Sequence, residues 1–176
     1  MHTDILEIAE PVSNIPSASQ LNVVIAYADF DSATIAKRIL EQSLVVLAPR
    51  YAVKTSFWKF ELLNSAALRE IAKEDAAEAQ IIIISADKEC TLPEGAREWV
   101  EWCLTRPEVK DVSFVALVRD EEETHQEQPP FLSGFEGFSK RAKTDFFWFI
   151  MNDGEKLAAD KIIELACHRA LAAQVA

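Results

Sequence analysis

Glycine is scarce in this chain, with four residues in 176, and cysteine scarcer, with three. The cysteines, Cys90, Cys103 and Cys167, are odd in number and form no C-x-x-C pair. A disulfide framework or a cysteine-ligated zinc site is therefore not expected. No glycine stands near the first strand, so there is no G-x-G-x-x-G and no G-x-x-x-x-G-K-[ST] with which backbone amides could cradle a phosphate. No G-x-S-x-G elbow is present either. No apolar run reaches the about 18 residues of a membrane span. Positive charge is in deficit: the formal net charge is −11. That repels nucleic-acid phosphates and anionic membranes, so neither is an expected partner. Residues 1–20 lack a basic start and an apolar core, so they do not read as a secretory signal. They are expected to form an arm ahead of a single domain over 21–176, in a cytoplasmic protein.

What is present is apolar and periodic. Hydrophobic residues make up 49% of the chain, ample for one core at this length. Leu21–Ala28 is a continuous apolar run, and such runs mark strands covered on both faces. Ile81–Ile84 is four isoleucines in a row, which suits a central buried strand. Val112–Val118 and Asp145–Ile150 read as two more strands, and Tyr51–Trp58 as another. Between them lie helical patterns. The first carries Ile35, Ala36, Ile39, Leu40 and Leu47, the next Leu68, Ile71 and Ala72. A third carries Trp99, Val100 and Cys103, behind Pro93. After a polar surface loop at Arg119–Gln128, Phe131, Leu132, Phe135 and Phe138 form a short helical pattern. A turn at Asn152–Asp153–Gly154 then leads to a last helix with Leu157, Ala158, Ile162, Leu165 and Leu171 inward. There is no internal repeat. Five successive strand–helix units require right-handed crossovers between parallel strands. The expected fold is a three-layer α/β/α sandwich with a five-stranded parallel sheet of order 2-1-3-4-5.

Such sheets bind ligands beyond the carboxyl ends of their strands, at the switch point between strands one and three. The residues there are Asp29, Asp31 and Ser32 after strand one, Ser85 and Asp87 after strand three, and Arg119 after strand four. Asp29, Asp31 and Asp87 converge on one edge. Two readings stay open. The carboxylates could hold a hard cation such as Mg²⁺, which would relieve their repulsion. Alternatively, they cap the helix and turn that follow. Trp58, Lys59 and Phe60, at the end of strand two, form with Ser85 and Arg119 a candidate pocket or partner surface. Aromatics are enriched at interfaces, and they also dominate cores. Asp29 and Asp31 put negative charge where a flavodoxin would seat a phosphate, so no cofactor beyond magnesium is expected.

The strand–helix order, the acidic turn after strand one and the aspartate near the end of strand three resemble the receiver domain of response regulators, a flavodoxin-like fold. The receiver pattern puts a phosphoacceptor aspartate at the end of strand three, where Ser85 is expected, with Asp87 two residues late. Its Ser or Thr ending strand four is replaced by Val118–Arg119, and its lysine ending strand five is absent. The chain also resembles a group of bacterial proteins marked by that acidic turn, by Trp58–Lys59–Phe60–Glu61–Leu62–Leu63 and by Leu92–Pro93. These resemblances imply a non-catalytic signalling or protein-interaction module, with a protein partner. By analogy with receivers they also imply a homodimer. The alternative is a Mg²⁺-assisted enzyme acting on a small or phosphorylated substrate.

Overall fold

The computed structural model describes residues 19–47, 50–106, 112–120 and 127–174. Five strands, β1 (Ser19–Tyr27), β2 (Tyr51–Lys59), β3 (Ile81–Asp87), β4 (Ser113–Arg119) and β5 (Asp145–Ile150), form one sheet of order β2-β1-β3-β4-β5. Every pairing is parallel. The helices are α1 (Phe30–Leu47), α2 (Ala66–Glu78), α3 (Glu94–Thr105), α4 (Phe135–Ala142) and α5 (Met151–Gln174). The expected architecture and strand order are those observed.

The burial follows from pattern. Successive strand side chains point to opposite faces, so each central strand feeds two cores. Val24, Ile82, Ile84, Phe114 and Ala116 pack with α2, α3 and α4, around Trp99 and Phe135. Val23, Ile25, Ile81, Ile83, Val115 and Leu117 pack with α1 and α5. Ile81–Ile84 are fully buried. At about 25 cal/mol per Å² of apolar surface, each isoleucine contributes roughly 1.5–3 kcal/mol of transfer free energy.

Several local expectations need correction. β1 starts at Ser19, two residues inside the expected arm; residues 1–18 lie outside the described residues, as do 121–126 of the polar loop. Phe60–Asn64 forms a single 3-10 turn that buries Phe60 and Leu63 and leaves Leu62 46% exposed. Ile71 lies on the open side of α2, and Ala72 and Ala76 form its buried stripe. These alanines allow the helix to approach the sheet closely. Leu157 is likewise exposed, 61%. No turn separates β5 from α5: the helix starts at Met151. Two side chains, one ahead of α2 and one in its first turns, hold the α2–α3 side together. The Asn64 side chain accepts a bond from the Gly95 amide at 3.0 Å, and Arg69 donates to the Leu63 carbonyl at 2.8 Å. A Cβ at Gly95 would collide with the Leu63 carbonyl oxygen and lie 2.7 Å from Asn64 Cα, so glycine is what lets α3 approach the 3-10 turn.

Candidate functional site

β3 runs to Asp87, two residues beyond the expected end, so Asp87 and not Ser85 terminates the strand. Ser85 is buried, and its hydroxyl donates to the Ser32 carbonyl at 2.9 Å. It ties β3 to the start of α1.

The register then dictates the chemistry. Asp87 and Arg119 are direct partners across β3 and β4. Both follow the alternation of Ile81, Ile83, Val115 and Leu117, so both side chains rise on the α1 side of the sheet. Arg119 Nε and Nη2 grip the two oxygens of Asp87, the second at 2.7 Å. A guanidinium matches a carboxylate in this two-point geometry. The remaining nitrogen reaches the first turn of α1, where Arg119 Nη1 lies 3.2 Å from Asp31 Oδ2. Arg119 Nη2 is 4.0 Å from Asp29 Oδ2. The clasp thus joins the ends of three segments: β1–α1, β3 and β4.

Asp29 has a second task. Its Oδ1 accepts the Ser32 amide at 2.8 Å, satisfying one of the free N–H groups that open α1. That amide holds the Asp29 carboxyl below the usual carboxylate range; burial works against it, and Arg119 adds to the lowering. Arg119 itself is driven further above its ordinary value, first by its bonds to Asp87. Next to the clasp, Lys88 pairs with the buried Asp120 at 3.1 Å. Cys90 is half-buried, and burial together with Asp87 and Asp29 pushes its thiol up. A raised thiol is a poor nucleophile.

The three aspartates do converge as expected, but around a cation that the chain supplies. Among the described residues, no three His, Cys, Asp or Glu side chains are placed to hold a metal ion. The Mg²⁺ expectation finds no support in this arrangement, because the guanidinium stands where the ion would. Of the expected surface residues, Phe60 is core, at 2% exposure. Trp58 packs against the α2–α3 core and donates its indole N–H to Asp75 at 2.9 Å. Lys59 pairs with Glu61 in solvent at 2.9 Å. The reading by residue type missed Phe30. It lies between Asp29 and Asp31, opens α1 and is 80% exposed. An aromatic between two acids at a strand end was the available signal. Phe57, at the same end of β2, is 45% exposed.

No protein-family model matches the chain, and no curated protein matches it. Its fold is flavodoxin-like. It is similar to a short-chain flavodoxin associated with a non-canonical PDU bacterial microcompartment, at TM-score 0.58 and 11% identity over 86% of this chain and 99% of that one. It is also similar to the Trp repressor binding protein from Bacillus subtilis, at TM-score 0.51 and 9% identity over 81% and 99%. A third match is the flavodiiron protein from Giardia intestinalis, at TM-score 0.50 and 12% identity, covering 89% of this chain and 37% of that one. Identities this low establish the fold alone. No helix among the described residues is long and apolar enough to cross a membrane.

Flavodoxin-like folds seat FMN at the switch point between strands one and three. The residues here do not fit its phosphate. The Ser32 amide is taken by Asp29, no glycine stands between Tyr27 and Ala36, and two carboxylates flank the entrance. A phosphate needs open amides and positive potential at that place.

Proposed function

We propose that this chain is a non-catalytic, signalling-type module that binds a protein partner, built on a flavodoxin-like sheet. The observation that carries the reading is the Arg119 clasp. It closes the carboxyl edge with side chains of the protein itself, where related folds hold a ligand. Both Asp87 oxygens are engaged by one guanidinium, so the carboxylate is not presented as a phosphoacceptor. The same end of the sheet shows water Phe30, Phe57 and Leu62. Large apolar side chains rimmed by polar ones mark protein contacts. With Asp29 and Asp31 beside Phe30, the matching partner face is apolar with a basic rim.

The test is a pair of titrations on the purified protein. Flavin fluorescence is followed as protein is added to FMN, and intact mass is followed after incubation with acetyl phosphate and Mg²⁺. The expected results are no quenching and no added phosphate. Stoichiometric flavin binding, or a phosphoryl group on Asp87, would overturn the proposal.

A further inference from the structure

We draw no further inference here: the strongest candidate, the open cleft of about 400 Å³ between α4 and β5, is lined by the acids Glu136 and Asp145 as well as by Lys140 and Lys143, so nothing in the structure shows what would occupy it.

Discussion

Replacing Arg119 with methionine keeps the aliphatic stem and deletes the guanidinium, leaving Asp29, Asp31 and Asp87 facing one another. The cost follows from exposure. Arg119 is 20% exposed, Asp87 40% and Asp31 68%. A hydrogen bond to a charged group contributes about 1.5–3 kcal/mol net, and an exposed ion pair about 0–1 kcal/mol. The two-point grip on Asp87 therefore dominates, the Asp31 contact adds little, and the total is about 2–3 kcal/mol. For a chain of this size each kcal/mol lowers the melting temperature by about 2–4 °C, so the variant melts about 4–12 °C lower. Millimolar Mg²⁺ supplies the discriminating arm. It leaves the wild type where it is, since Arg119 already neutralises the carboxylates. In the variant it recovers part of the loss, because a cation that binds only the native state stabilises it by about 2.7 kcal/mol at a hundredfold excess over Kd. The assay is thermal unfolding of both proteins with and without the ion. A variant that melts with the wild type would refute the argument. So would a large Mg²⁺ shift in the wild type that the variant lacks, since the aspartates would then be holding a metal after all.

Asp29→Ala removes the cap on the Ser32 amide and lowers stability by about 1 kcal/mol at neutral pH in urea unfolding. Because the folded pKa of Asp29 lies below its unfolded value, about 3.9, its contribution is complete above that value and is lost as pH falls through the folded one. Asparagine caps equally well without titrating, so Asp29→Asn shows a smaller acid loss than wild type between about pH 6 and pH 3; equal losses would count against the cap. Gly95→Ala forces α3 away from the 3-10 turn and destabilises, whereas Gly137→Ala meets nothing within 4 Å in α4 and gains about 0.5–1 kcal/mol; opposite signs in one chemical-denaturation series are the check. Trp58→Phe deletes the donor to Asp75 and costs about 1 kcal/mol, read from the same series.

The sheet was legible because its strands are buried on both faces. Leu21–Ala28, Ile81–Ile84 and Val112–Val118 are apolar without alternation, and that pattern belongs to parallel strands closed in by helices. Short alanine stripes were harder: Ala72 was read as buried, but Ala76, which buries as completely as Leu63, was missed, because small side chains give a weak periodic signal and the reading went to Leu68 and Ile71 beside Ala72. At the site, the convergence of Asp29, Asp31 and Asp87 could be read from the strand ends. The role of Arg119 could not, because it rests on where β3 stops. Placing that end two residues early left Asp87 out of the strand and hid its pairing with Arg119, which only the β3–β4 register makes inevitable.

The isoleucine run of β3 has a consequence for how the chain is made. Its neighbours in the sheet are β1 and β4, one earlier and one later in the chain. A ribosome therefore delivers Ile81–Ile84 before β4 exists to cover its second edge. Four consecutive β-branched residues with no charge among them are the composition that self-associates when left uncovered. The residues around the run, Asp75 and Glu78 before it and Asp87, Lys88 and Glu89 after it, are charged in the manner of aggregation gatekeepers. Their acidity would protect the nascent chain during the interval, and then, once β4 arrives, Asp87 turns from a solubilising charge into the anchor for Arg119.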